Sequence, residues 1–279
     1  MFTRGFARTI LAPAEHGQPT VIARPIHAVV ALASAHPALA NGGFATIQIV
    51  LGVWLITRRF TRVALAASIV WAILVWIVGE GLGGLATGST LLTGAPGAAL
   101  LYALIALLAW PRRDQFDDDR PSWLAVPAWC ALWLTGAALQ LVAGNNSASS
   151  LTMTLRAAQG NSPGWIAAID RKLVHVQLPV WVGAGLIALY VLVATWAIVP
   201  GWTRQLSVGI GVVVSLTVWL LFQGLGDLTS GQATDPNSGP LLVLLAVAVI
   251  GATPQREDTR EWVGGFTPSD RMVRSSTAS

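Results

Sequence analysis

One cysteine, one lysine and two tyrosines are spread over 279 residues, and only 11% of the chain is charged. The lone thiol, Cys130, excludes an intrachain disulfide and any Cys-x-x-Cys metal or redox pair. A glycine-rich phosphate loop ending in Lys-Ser/Thr is absent, as is a His-Glu-x-x-His pair, so neither nucleotide hydrolysis nor zinc proteolysis has its usual residues here. The four histidines, His16, His27, His36 and His175, fall outside the long apolar runs, which argues against haem held between membrane helices. So little charge beside a 54% apolar composition excludes an ordinary soluble domain.

What is present instead is long uncharged sequence. Runs near 38–57, 63–80, 123–143, 178–199 and 206–223, with shorter ones near 95–110 and 240–252, approach the ~20 residues that carry a helix across ~30 Å of hydrocarbon. They are continuously apolar rather than alternating, so they predict helices, which satisfy their own backbone hydrogen bonds in lipid, and not barrel strands. The predicted fold is an all-α polytopic bundle of about seven transmembrane helices. The stretch after Arg4 and Arg8 is broken by Glu15, His16, Arg24 and Pro25 and does not read as a cleaved signal peptide.

If the spans alternate across the bilayer, eleven of the seventeen cationic residues share one side, Arg58, Arg59, Arg62, Arg112, Arg113 and Arg204 among them. The other six are Arg4, Arg8, Arg24, Arg156, Arg171 and Lys172. The positive-inside bias then predicts a plasma-membrane protein with its C-terminus in the cytoplasm. The partners implied for its basic residues are anionic lipid headgroups of the bilayer rather than nucleic acid, and a membrane-protein partner or a second copy is compatible with the composition.

The chain also reads as two halves. Val75-Trp76-Ile77-Val78-Gly79-Glu80-Gly81-Leu82-Gly83-Gly84 runs in step with Val218-Trp219-Leu220-Leu221-Phe222-Gln223-Gly224-Leu225-Gly226-Asp227, and each is followed by a Pro/Gly turn and another apolar run. The predicted organisation is an N-terminal tail (1–23), membrane repeat one (24–111), a linker with an extra transmembrane helix (112–161), membrane repeat two (162–252) and a disordered cytoplasmic tail (253–279). A single helix between two three-helix units leaves both units pointing the same way, so the repeats are expected to be parallel. Each begins with an amphipathic interfacial stretch, 24–37 and 163–179. In the second, Trp165, Ile166, Ile169, Leu173 and Val176 form the apolar face with Asp170, Arg171 and Lys172 opposite.

Glu80 is the acid at the end of a span in the first half, its counterpart is Gln223, and Asp227 is the corresponding acid of the second half. Ionisable groups at a span end are costly unless they face water, a partner or a cavity, which makes them candidates for binding. Asp235, Asn237 and Thr87 add oxygen acceptors and donors, and with Glu80, Gln223 and Asp227 they form the candidate binding set. The intervening glycines also suit close helix packing with the acids hydrated at the rim. No catalytic residue, metal ligand or cofactor is designated by the sequence. Asn41, Gln48 and Gln140 are candidates for interhelical hydrogen bonds, and the tryptophans Trp54, Trp110, Trp123, Trp165, Trp181 and Trp202 for interfacial anchors.

The stretch Ala40-Asn41-Gly42-Gly43-Phe44 through Leu51-Gly52-Val53-Trp54-Leu55-Ile56-Thr57-Arg58-Arg59, then Thr61-Arg62-Val63-Ala64-Leu65, resembles DoxX-type membrane proteins. The chain is also similar to uncharacterised multipass proteins of high-GC bacteria. The DoxX resemblance implies a small helical bundle associated with redox or sulfur metabolism. It carries no catalytic residue over, and the Gly-Glu-Gly-Leu-Gly-Gly loop departs from that family's pattern. Three functional expectations follow: a small solute or ion bound or transported at an outward-facing polar vestibule, a non-catalytic accessory or scaffold subunit, or a DoxX-like redox-associated protein.

Overall fold

Four helices set the scale of the molecule. In the computed structural model, which describes residues 5, 7–111, 123–142, 144–160, 162–176, 178–229 and 233–251, every regular element is helical. Helices α1 (Thr20–Ala35), α2 (Pro37–Thr57), α3 (Thr61–Val78), α4 (Ala98–Leu108) and α5 (Ala125–Leu141) are followed by α6 (Ala148–Gln159), α7 (Gly164–His175), α8 (Trp181–Ile198), α9 (Trp202–Leu221) and α10 (Ser238–Gly251). By length and composition α2, α3, α8 and α9 are able to cross a membrane. At 1.5 Å per residue their 18 to 21 residues reach about 27–32 Å, the thickness of the hydrocarbon layer. This is the mark of an integral membrane protein.

The other three expected spans are shorter: 11 residues in α4, 17 in α5 and 14 in α10. Upstream of α4 and α10 the chain is held in turns by Gly94, Pro96 and Gly97, and by Pro236 and Asn237, so the helices start late. The span predicted at 63–80 ends at Val78, which leaves Glu80 beyond the helix. The span predicted at 206–223 instead starts early, at Trp202, and draws Thr203 and Arg204 into α9. Arg204 is buried there, its Nε donating to the carbonyl of Ala197 at 2.8 Å across the short turn from α8.

The main core lies between α4, α5, α8, α9 and α10. Trp129 and Trp133 of α5 and Tyr190 of α8 are fully buried, with ring centroids 5.5 Å apart between the tryptophans and 5.4 Å from Trp133 to Tyr190. Leu101, Val208, Leu241 and Leu245 close the same cluster. Small residues make this approach possible: a Cβ on Gly211 would stand 2.3 Å from the Trp129 ring. These two tryptophans are core residues, whereas Trp110, Trp123, Trp165, Trp181 and Trp202 are exposed at or near helix ends, as anchors would be. Helix α2 buries no side chain.

Three further readings change. Residues Ala7–Leu11 form a π turn and Ala12–Glu15 a 3-10 turn, and Ala7 and Leu11 bury against Ala33 of α1, so much of the predicted tail is packed structure. Helix α1 begins at Thr20, upstream of the expected boundary at 24. In α7, Asp170 lies on the buried face with Ile166 and Ala167, while Arg171 and Lys172 are exposed. Spacing decides this, because Ile166 and Asp170 are one turn apart and share a face whatever their chemistry. Neither carboxylate oxygen of Asp170 has a hydrogen-bond partner, and burial pushes its carboxyl up to about 6. The charged hinge at 112–120 and the tail at 253–279 lie outside the described residues.

Candidate functional site

Beyond α3 and α9 the chain enters the same unusual turn. Gly81, Leu82, Gly83 and Gly84 have φ of 53°, 58°, 63° and 71°, and Gly224, Leu225, Gly226 and Asp227 have φ of 53°, 60°, 63° and 58°. Four successive left-handed residues are rare, since each L side chain there costs roughly 1–2 kcal/mol. Glycine relieves that cost at most positions, and aspartate is among the residues that tolerate it. Leu82 and Leu225 carry the strain at corresponding places.

Each turn is pinned by the same bond. The indole N–H of Trp76 donates to the Pro96 carbonyl at 2.7 Å, and that of Trp219 donates to the Pro236 carbonyl at 2.8 Å. The loops are thereby folded back onto the starts of α4 and α10. Glu80 and Gln223 make the second tie. Glu80 Oε1 accepts from the Ala99 N–H in the first turn of α4 at 2.9 Å. Gln223 Nε2 donates to Ser238 Oγ, the first residue of α10, at 2.8 Å, and to the Leu91 carbonyl at 3.2 Å. The last bond joins the two halves of the sequence.

The candidate residues converge. Glu80, Thr87, Asp227, Asp235 and Asn237 line one cavity of about 410 Å³, and Thr87, Gln223, Asp227 and Asn237 line a second of about 750 Å³. Thr87, Asp227 and Asn237 border both, so the two spaces adjoin. Short local bonds set the loop side chains. Asp235 Oδ1 accepts from the Asn237 N–H at 2.7 Å, Asn237 Oδ1 from the Ser238 N–H at 2.6 Å, and Thr87 Oγ1 donates to the Gly84 carbonyl at 3.0 Å.

Glu80 is largely withdrawn from water, and that desolvation raises its carboxyl to about 7. The Ala99 N–H opposes the rise and the nearby charge of Asp235 adds to it. Glu80 Oε2 is buried without a donor. Gln223, 8% exposed, has its amide oriented by the two bonds from Nε2, which leaves Oε1 without a donor too.

One wall of the smaller cavity comes from residues outside the candidate binding set. Pro13, Ala14, His16 and Gln18 line it, and Gln18 Nε2 donates to the Gly81 carbonyl at 2.9 Å. The one available signal is a parallel in spelling: Gln18-Pro19 precedes α1 as Ser162-Pro163 precedes α7. A Cβ on Gly224 would stand 2.9 Å from Ser162 Oγ, and one on Gly81 2.6 Å from Gln18 Nε2. Gly160-Asn161-Ser162-Pro163-Gly164 also has the Gly-x-Ser-x-Gly spelling, but it joins two helices instead of a strand and a helix. The Ser162 hydroxyl donates to the Ala158 carbonyl, so it is not a nucleophile elbow.

Other polar candidates fall elsewhere. Gln140 is buried at the end of α5 and bonds the Asn145 carbonyl in the following turn, not another span. Gln48 is exposed on α2. His27 pairs with Glu15 at 3.2 Å, and no group of three or more His, Cys, Asp or Glu side chains among the described residues is placed to hold a metal. No protein-family model matches the chain, and no curated protein or solved structure is detectably similar to it.

Proposed function

We propose that this is a multipass membrane protein, built from two parallel like modules, that binds a small solute at a polar vestibule on the outer face. One observation carries the reading: all six candidate residues line two adjoining cavities at the meeting of two loops far apart in sequence. The paired left-handed turns, the paired Trp-to-Pro bonds and the paired X-Pro starts of α1 and α7 support duplication. They also favour modules that begin before residue 24, since the Gln18 and Ser162 contacts belong to the same scheme. A packed, hydrated rim of acids without a ligand needs no buried acceptors left without donors, and here there are three among the lining residues, on Gln18, Glu80 and Gln223.

The test is accessibility. Thr87 is exposed and borders both cavities. In a chain with Cys130→Ala, Thr87→Cys is expected to react with a membrane-impermeant maleimide added to intact cells. Labelling only after permeabilisation overturns the outward placement, and none in either condition overturns the vestibule.

A second reading, a scaffold subunit that docks a partner along α2, is favoured by the amide of Gln48 exposed on a helix that buries none of its side chains. A protein retained with the wild-type chain in mild detergent and lost with Gln48→Leu supports it. Unchanged composition counts against it.

A further inference from the structure

The two halves differ in what covers them. In the second, α5 packs against α8 and α10. The Trp133 ring lies on Tyr190 of α8, and Cys130 Sγ donates to the Ala194 carbonyl at 3.1 Å. Two shared landmarks give the equivalent positions in the first half. Trp54 and Trp196 each stand seven residues before a Thr-Arg pair. Tyr190 then corresponds to Gln48, six residues before its tryptophan, and Ala194 to Gly52, two before. Pro96 and Pro236, whose carbonyls take the indole bonds, likewise pair Leu242 of α10 with Tyr102 of α4.

In the first half the same face is bare. Tyr190 and Ala194 are fully buried, but Gln48 is exposed and a Cβ on Gly52 would meet nothing within 4 Å. Leu242 is 2% exposed and Tyr102 is 42% exposed. Two helices of the first half therefore leave open the place that α5 fills in the second.

Gln48 gives that place its chemistry. It is the twelfth of the 21 residues of α2, near the middle of the span, where hydrocarbon offers its amide neither donor nor acceptor. An amide carries both, so the group that matches Gln48 is another amide at the same depth. A second copy of α2 brings one. It also brings its own bare face, so a twofold axis fills both places at once, as closed isologous pairing requires. Resting on the two-module reading above, and giving the scaffold reading its partner, we propose that the protein forms a homodimer in which the α2 helices of two copies occupy each other's open α5 place, Gln48 against Gln48.

The test uses the full chain with Cys130→Ala, in membranes. Under copper-phenanthroline oxidation, Gln48→Cys is expected to give a disulfide-linked band of twice the chain mass. Val50→Cys, also exposed but about 200° round the same helix, should stay monomeric. In mild detergent, light scattering of the wild-type chain should read two copies. Gln48→Leu and Gly52→Leu should each weaken the dimer by about tenfold or more while keeping the wild-type helical circular dichroism. Gln48→Asn, which keeps an amide, should retain it.

A single copy at every concentration overturns the dimer and leaves the two modules standing. Bridging at Val50 in place of Gln48 overturns the open place itself, and with it the equivalence of α2 and α8. A dimer unchanged by both leucine substitutions has its interface elsewhere, which also overturns the proposal. One copy held with a different protein overturns the second copy as occupant. The Thr87 labelling bears on the vestibule alone, so its failure is separate from all of these.

Discussion

Adding one methyl group at Gly83 should damage the protein far more than adding the same group at Gly88. Both have left-handed backbones, with φ of 63° and 83°, so alanine pays a conformational cost of roughly 1–2 kcal/mol at either place. The surroundings differ. A Cβ on Gly83 would stand 1.9 Å from the Pro96 carbonyl oxygen and 2.2 Å from its carbon, whereas one on Gly88 would meet nothing within 4 Å. The obstructing atoms are backbone, and that carbonyl also receives the Trp76 indole N–H, so it cannot swing aside without breaking the bond that folds the loop. Overpacking of this kind adds about 1–3 kcal/mol. Gly83→Ala is therefore expected to cost about 2–5 kcal/mol and Gly88→Ala about 1–2 kcal/mol. Gly226, the counterpart of Gly83, should fall between, because its Cβ would lie 2.8 Å from the Pro236 oxygen. Thermal unfolding of the three variants in one detergent reads the order Gly83, Gly226, Gly88 directly. Equal destabilisation at all three sites would refute the close approach of the loop to Pro96.

Other consequences concern the same loops and α7. Trp76→Phe and Trp219→Phe should each lower stability by about 1–3 kcal/mol, because each leaves a proline carbonyl without its donor; a neutral outcome at both sites contradicts the shared pinning. Glu80 loses its proton near 4.5 in the unfolded chain and near 7 in the folded one, so between those values the folded state holds the extra proton. Its contribution is fully present below pH 4.5 and declines as pH rises through about 7, and melting temperatures of wild type and Glu80→Gln should converge at low pH and separate above it in favour of the variant. Asp170→Leu should raise the melting temperature above pH 6, since it replaces a buried carboxyl without a partner by an apolar side chain on the face of Ile166 and Ala167; a lower one would mean that the carboxylate is held by a favourable contact.

The four long apolar helices are legible in the sequence, because hydropathy encodes them locally. The left-handed turn is half legible: glycine spelling marks Gly81-Leu82-Gly83-Gly84, but Asp227 at the fourth position of the second turn reads as an acid, with no hint of its φ of 58°. Gln18 was hidden because it meets Gly81 across 63 residues of chain, and no periodicity reports such a contact. Charge alone would put Asp170 on the polar face of α7, whereas its spacing from Ile166 puts it on the buried one. Trp129 and Trp133 are set apart from the exposed tryptophans by their core packing, Trp129 on Trp133 and Trp133 on Tyr190, which residue type does not report. Gln140 is turned inward by a turn that follows α5, a feature set by Asn145 and not by the apolar pattern.

The central claim is that the loops after α3 and α9 face each other across one solvent-filled space. Thr87 belongs to the first loop and Thr234 follows the second, both exposed and both lining the smaller cavity. In membranes carrying Cys130→Ala, the double substitution Thr87→Cys and Thr234→Cys should be bridged within a single chain by a short bifunctional thiol reagent, giving a shifted monomer band. Modification of each cysteine separately, with no intrachain bridge, would contradict the convergence on which the site depends.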